Sequence, residues 1–272
     1  MTGVKWIRAV LTTALLTLPT PAVARAECTG DCDAQQRVAT ADAYLASRPG
    51  VVGYVLRDRK TGAVYRNSHA GEMIWTASTI KLGIVVDLFA RQVAGLVRLG
   101  DNDIALMKSM LHSSDNDAAD TLWTRYGGTD HTVFNKDFPH FGMTRVQPQP
   151  GFGSMFPYWG FQKSTTDDLD HMVNFMLTGL RPNETAWIID QMQHVDANQQ
   201  WGVWGAGPDM APGNKDGWSD EQGGWVTNSV GFAGPSQRYT LAIMNALGGA
   251  GGCDEGQVTT SRLSQILLSG RR

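Results

Sequence analysis

Ser78-Thr79-Ile80-Lys81-Leu82-Gly83-Ile84-Val85-Val86-Asp87-Leu88-Phe89 is the stretch that decides the fold, and Ala90 through Gly95 continue it. It is apolar on nearly every side. The spacing predicts a helix over 78–95 that lies inside the protein rather than on its surface. Lys81 is the exception in the run. A lysine is rarely buried without a partner or a purpose. Ser78 precedes it by three positions, and i and i+3 share one helix face. The Lys81 amine is therefore expected beside the Ser78 hydroxyl. A serine hydroxyl is a weak nucleophile until a base takes its proton. A lysine serves as that base only when burial or a neighbouring cation lowers its pKa. The plainer alternative is an N-capping serine beside a surface lysine. Trp75, just upstream, is placed to roof the site.

The pattern outward from this helix is mixed. Residues 34–47 have apolar side chains at helical spacing, and Arg48-Pro49-Gly50 stops them. Residues 51–57 alternate as a strand, 58–62 turn, and 63–66 return, which is a hairpin signal. A helix is expected at 103–111. Asp115 or Asn116 then caps another that runs through Leu122 and Trp123. Residues 135–163 are rich in Pro, Gly and aromatics and read as a long loop, a kind of segment often tied to function. Thr165 or Thr166 caps a helix to Leu177, and another covers 183–194. Strands at 225–232 and 238–244 flank Ala233-Gly234-Pro235-Ser236-Gln237, and a last helix is expected at 260–269. The fold class is α/β, of the α+β kind. An antiparallel sheet built from both chain ends is flanked by helices, and about 70–210 form a mostly helical subregion. Residues 27–272 are read as one domain.

The first residues have a different character. Lys5 and Arg8 precede an apolar run from Ala9 to Leu18, and Ala24-Arg25-Ala26 follows. This reads as a secretory signal peptide over 1–26, too short in its apolar part to span a bilayer. Location is therefore expected to be secreted, periplasmic or in the cell-wall space, with no transmembrane segment in the mature chain. Arg25 and Glu27 are the wrong neighbours for a lipid attachment at Cys28. Loss of Lys5, Arg8 and Arg25 makes the net charge of −3 three units more negative. An acidic chain with no Lys/Arg cluster does not read as a nucleic-acid binder. Export permits a disulfide. Cys28, Cys32 and Cys253 allow one bridge, either from the N-terminal segment to Cys253 or locally between Cys28 and Cys32. Their spacing is not that of a metal site, and no cofactor is expected.

Two further stretches carry chemistry. Ser114-Asp115-Asn116 offers a hydroxyl that can relay a proton and an amide that can reach a substrate carbonyl and Lys81. Its plain alternative is a helix cap. Lys215-Asp216-Gly217-Trp218 reads as an edge strand beside a cleft. There Gly217 permits close approach of substrate and Lys215 adds positive charge near Lys81 and Ser114. Its plain alternative is a turn. Tyr158 and Trp159 either line the pocket or anchor their loop in the core. The six histidines form no His-x-x-x-His pair, and no Gly-rich phosphate loop is present.

Together the three stretches resemble the Ser-x-x-Lys, Ser-Asp-Asn and Lys-Thr/Ser-Gly elements of penicillin-recognising serine enzymes. They are most similar to class A β-lactamases and their actinobacterial relatives. The resemblance implies that Ser78 is the nucleophile and Lys81 its activating base or relay. It implies that Ser114 is a proton shuttle, Asn116 orients substrate and Lys215 lines the cleft. The oxyanion hole would be the backbone N–H groups of Ser78 and Trp218, donors that stabilise a tetrahedral intermediate. The interval from Ser114 to Lys215 is close to that of class A, and the likeness spans nearly all of the mature chain.

Three departures bear on function. The interval from Ser78 to Ser114 is shorter than in class A enzymes, which suggests a more open cleft. No Asp or Glu occurs from Val146 to Gln162, where the resemblance places the glutamate that activates the deacylating water. Asp216 replaces the Thr or Ser that helps bind a substrate carboxylate. An ionised Asp216 facing the cleft would repel such a group. Arg238, in the next strand, is the nearest residue to compensate. The expected function is an exported serine hydrolase or acyltransferase that forms an acyl-enzyme at Ser78. Its substrate would be an amide or ester, small molecule or peptide, cell-wall-derived peptides included, and it would be a poor β-lactamase. The alternatives are a penicillin-binding-protein-like D-Ala-D-Ala peptidase and a non-catalytic binding protein that keeps the fold.

Overall fold

The structure, a computed structural model, describes residues 1–2, 31–151, 155–221 and 223–271. Met1–Cys32 forms a separate unit and nearly all of it lies outside the described residues, as do the expected signal peptide and Cys28. The main unit is Asp33–Arg272.

In chain order, helix α1 (Cys32–Leu45) is followed by strands β1 (Val51–Asp58), β2 (Val64–Arg66) and β3 (Ile74–Trp75). A 3-10 turn at Ala77–Thr79 leads into α2 (Ile80–Val93). Helices α3 (Asp101–His112), α4 (Asn116–Tyr126) and α5 (Val133–Asp137) come next, then strands β4 (Gln147–Pro148) and β5 (Gln162–Ser164). Helices α6 (Thr166–Thr178) and α7 (Pro182–Gln193) precede strands β6 (Gly213–Glu221), β7 (Gly224–Ala233) and β8 (Tyr239–Ala246). Helix α8 (Cys253–Leu268) closes the fold.

The main sheet is antiparallel, in the order β2-β1-β8-β7-β6. Strands from both chain ends thus meet at the centre, where Val55 of β1 pairs with Ala242 of β8. Alternation along the strands divides the core. Tyr54 and Leu56 of β1 and Leu241 and Ile243 of β8 pack with Leu263 and Leu267 of α8. Ala242 and Met244 of β8 and Val226 and Val230 of β7 join the other cluster, with Ile80, Ile84, Val85 and Leu88 of α2. Each large apolar side chain among them contributes about 1.5–3 kcal/mol by leaving water. Every residue of α2 from Ile80 to Phe89 is buried, as its all-round apolar pattern requires. Asp170 of α6 bonds to Arg57 of β1 and so ties that helix to the sheet.

Three expectations need correction. The last helix begins at Cys253, not near 260. Gly252 caps it and Asp254 and Glu255 occupy its first turn, where the helix dipole favours acids; Gly256 in that turn hides the pattern. Cys253 is a free thiol, so the bridge to the N-terminal segment does not form. The stretch 135–163 is not all loop: it contains the end of α5, a 3-10 turn at Phe138–Phe141, and β4. Strand β4 pairs with β5, and β5 with β3, in a small second sheet.

Candidate active site

Ser78 lies in the turn between β3 and α2, and its position is fixed from three sides. Asn228 of β7 donates its side-chain amide to the carbonyls of Trp75 (2.7 Å) and Thr76 (3.1 Å). The Thr79 hydroxyl donates to the Thr76 carbonyl at 2.6 Å. The Thr76 backbone N–H donates to the Gln162 carbonyl at 2.9 Å. The turn is strained, because Ala77 has φ +45° immediately before the serine. Such conformations persist only where the surroundings over-determine them, and they gather at functional sites. Ser78 is half-buried.

Lys81 is fully buried one turn into the helix. Its Nζ donates to the Ser114 carbonyl (2.6 Å) and to Asn116 Oδ1 (2.6 Å), and lies 3.4 Å from Ser114 Oγ. The indole of Trp159 covers it, with the ring centroid 4.5 Å from Nζ. Burial, followed by the charge of Lys215, lowers the Lys81 pKa to about 6; Asp115 and Asp120 oppose this. A neutral amine with both hydrogens given to carbonyl oxygens keeps a lone pair free. That is the state a general base needs.

Ser114 sits at the start of α4 with φ +61°. Asp115, not Asn116, is the N-cap: its carboxylate accepts from the Ala118 N–H at 3.0 Å and from the Ser109 hydroxyl at 2.7 Å. These bonds hold the carboxyl below the usual range. Asn116 is thereby left to meet Lys81. Lys215, on β6, reaches the Ser114 hydroxyl from the sheet. Its Nζ donates to Ser114 Oγ (2.9 Å) and to the Asp216 carbonyl (2.7 Å). Burial lowers its pKa to about 7, against the pull of Asp216. Ser114 Oγ thus stands between the two lysines, 3.4 Å from Lys81 Nζ and 2.9 Å from Lys215 Nζ.

Strand β6 is the edge of the sheet beside Ser78. Gly217 makes the approach possible. A Cβ there would stand 2.7 Å from the backbone nitrogens of both Ser78 and Thr79 and 3.0 Å from the Thr76 carbonyl. Gly217→Val is therefore expected to force the strand from the turn. We expect a loss of stability of about 1–3 kcal/mol in thermal unfolding and a slower reaction at Ser78 in the folded fraction.

Asp216 does not face the cleft. It points to the other face of β6 from Lys215 and Gly217, and is 1% exposed. It lies against Gly202, where a Cβ would be 3.2 Å from its Oδ1 and 2.1 Å from Ser229 Oγ. Burial pushes its carboxyl pKa well up. The repulsion expected of an exposed Asp216 therefore has no geometric basis. Arg238 does not join the site. It caps the far end of β8, where its guanidinium bonds to Asp58 (2.7 Å) and stacks on Tyr239. Trp218 is half-buried and meets Trp201 edge-on at 5.9 Å. Tyr158 and Trp159 do adjoin the site, and both bond to Asp120 of α4.

Asp120 and Asn228 are the residues that sequence reasoning missed. Asp120 follows Asn116 by one helical turn and so shares its face, a signal that was present. Asn228 carried none, because the Trp75 and Thr76 carbonyls that it holds are more than a hundred residues away. Among the described residues no group of three His, Cys, Asp or Glu is placed to hold a metal ion, and no helix is long and apolar enough to cross a membrane.

No family model matches the chain. It is 29% identical over 228 residues to the putative lipoprotein LppW of Mycobacterium tuberculosis and of Mycobacterium bovis, covering 79% of this chain and 68% of that protein. A β-lactamase structure from Xanthomonas campestris superposes with a TM-score of 0.71 at 17% identity, covering 87% of this chain and 97% of the other. An ancestral class A β-lactamase gives 0.70 at 16% identity, covering 86% and 99%. The chain thus has the fold of class A β-lactamases, with a distant relative in Mycobacterium.

Proposed function

We propose that the protein is an exported serine acyltransferase or hydrolase that forms an acyl-enzyme at Ser78 on an amide or ester. One observation carries the reading: a fully buried lysine bonded to Ser114 and Asn116 lies one turn beyond a serine in a strained turn. Lys81 takes the Ser78 proton as Oγ attacks the substrate carbonyl. The backbone N–H groups of Ser78 and Trp218 receive the developing oxyanion. The Ser114 hydroxyl, bonded to Lys215, delivers a proton to the leaving group. Export rests on the leader-like sequence over 1–26 and on the name of the mycobacterial relative. The substrates in view are extracytoplasmic peptides and esters.

A second reading, as a peptidase of peptides ending in D-alanine, is favoured by the burial of Asp216, because a terminal carboxylate then meets no exposed anion.

The rate of Ser78 labelling by a fluorophosphonate tests the mechanism through its pH dependence. Lys81 is the base only when neutral. The rate is expected to fall about tenfold per unit below pH 6 and to level off above it. The midpoint belongs to the Lys81–Lys215 pair rather than to either lysine alone. A rate unchanged between pH 4.5 and pH 8 would exclude Lys81 as the base.

A further inference from the structure

Hydrolysis of an ester on Ser78 needs a base for the attacking water. The loop from Val146 to Gln162 has no Asp or Glu to supply one, but the helix bonded to that loop does. At its cap and in its first turns α4 carries the carboxylates of Asp115, Asp117 and Asp120. Asp115 is committed on both oxygens, one to the Ala118 N–H at 3.0 Å and the other to the Ser109 hydroxyl at 2.7 Å. Asp117 is exposed and follows Asn116 directly, so it does not share its face. Asp120 follows Asn116 by four positions and does share it. Asn116 Oδ1 is 2.6 Å from Lys81 Nζ, so this face of α4 is the one turned to the amine. Asp120 lies near enough to draw the Lys81 pKa upward against burial.

Only one oxygen of Asp120 is engaged. Oδ1 accepts from the Trp159 indole N–H at 2.6 Å and from the Tyr158 hydroxyl at 2.7 Å. Two donors on one oxygen fix the plane of the carboxylate, and charge-assisted bonds of this kind are strong. The loop that supplies them is itself tied down. The Trp123 indole donates to the Pro157 carbonyl at 3.0 Å, and Gln162 donates to the Tyr158 carbonyl at 3.1 Å. Oδ2 takes no bond among the described residues, and in this half-buried side chain it is not enclosed. Its lone pairs stay available to water. The Trp159 ring meanwhile covers Lys81, with its centroid 4.5 Å from Nζ, and shields the amine from water on that side.

We propose that Asp120 is a catalytic residue, the general base that activates water for release of the acyl group from Ser78. This rests on the reading of Ser78 as nucleophile. The water oxygen bonds to the acyl carbon as one of its protons passes to Asp120 Oδ2. The bond from the acyl carbon to Ser78 Oγ then breaks, and the proton travels from Asp120 through Lys81 to Oγ. The free acid leaves, and the serine hydroxyl and the carboxylate are restored. Asp120 takes no proton during acylation, where Lys81 is the base.

The test uses p-nitrophenyl acetate at pH 7.5, with the burst of p-nitrophenolate read as acylation and the acetyl adduct followed by intact mass. The intact protein is compared with Asp120→Asn and with Ser78→Ala. Asparagine has the same shape, and its Oδ1 accepts the same two bonds, so the variant loses the base and keeps the clamp. Asp120→Asn is expected to give a burst at about the parental rate, which also shows that it is folded. Its adduct is expected to persist at least about 100-fold longer than that of the parent, the scale on which loss of a general base acts. Ser78→Ala is expected to give neither burst nor adduct. Decay at the parental rate in Asp120→Asn would overturn the inference and leave Ser78 as nucleophile, as would a parental adduct that never decays. Loss of acylation in step with loss of decay would overturn it too, by making Asp120 part of the frame of the site rather than its base. A parent protein with neither burst nor adduct would overturn the reading of Ser78 and this inference with it.

Discussion

Ser78→Ala is expected to abolish covalent labelling and to lower turnover of an activated ester by at least about 10³-fold, the scale on which nucleophile removal acts. The loss should be in kcat and kcat/KM together, because the hydroxyl acts only as the bond forms. The fold should be unaffected, since Ser78 is half-buried and its turn is held by Asn228, Thr79 and Gln162. Thermal unfolding within about 0.5 kcal/mol of the parent is the control. A variant that turned over the ester at the parental rate would remove Ser78 from the chemistry.

Lys81→Met is expected to do two opposite things. Acylation should fall about 10²–10⁴-fold, because a base is lost from the step. Stability should rise. In the folded protein burial lowers the lysine pKa from 10.5 to about 6, whereas the unfolded chain keeps the ordinary value. At pH 7 the unfolded lysine therefore holds a proton that the folded one has released. That difference opposes folding by ~5 kcal/mol. Methionine removes it but leaves the Ser114 carbonyl and Asn116 Oδ1 without their donor, a loss of about 1–3 kcal/mol for each. The net gain should be about 1 kcal/mol, or roughly 2–4 °C in Tm for a domain of this size. Its sign follows from linkage. The penalty on the lysine protein is full below about pH 6 and shrinks as pH rises. The advantage of methionine should thus be largest in acid and vanish by about pH 10.5. Unfolding curves at pH 6 and pH 10 check this directly. A difference in Tm between the two proteins that is the same at pH 6 and at pH 10 would mean that the fold does not lower the Lys81 pKa and that Lys81 cannot be the base.

Much of the fold could be read from local pattern. The all-round apolar run after Ser78 marked α2 as an interior helix, and the alternation over 51–57 and 238–244 marked strands that do pair at the sheet centre. The start of α8 was not legible, because Gly252 and Gly256 interrupt the apolar rhythm that signals a helix. The cluster of Lys81, Ser114, Asn116 and Lys215 was legible for the opposite reason: each lies in a short stretch whose residue types have a defined chemical use. Orientation was harder. Asp216 drew attention by its neighbour, yet strand alternation turns it to the opposite face from Lys215 and Gly217, where Gly202 makes room for it. Arg238 was misplaced because its partner, Asp58, comes from the other end of the chain. The clamp between Asp120 and Trp159 joins a helix to a loop with no regular period between them, so only the folded chain brings it into view.

The most direct test is to locate the label. The protein is exposed to a fluorophosphonate at pH 7.5, its intact mass is measured, and the modified peptide is sequenced by fragmentation. One adduct on Ser78, absent from Ser78→Ala and from protein unfolded before exposure, is the expected result. An adduct on another residue, or none with this probe and none with a penicillin, a cephalosporin or p-nitrophenyl acetate, would contradict a nucleophilic Ser78 and favour a binding protein built on the same fold.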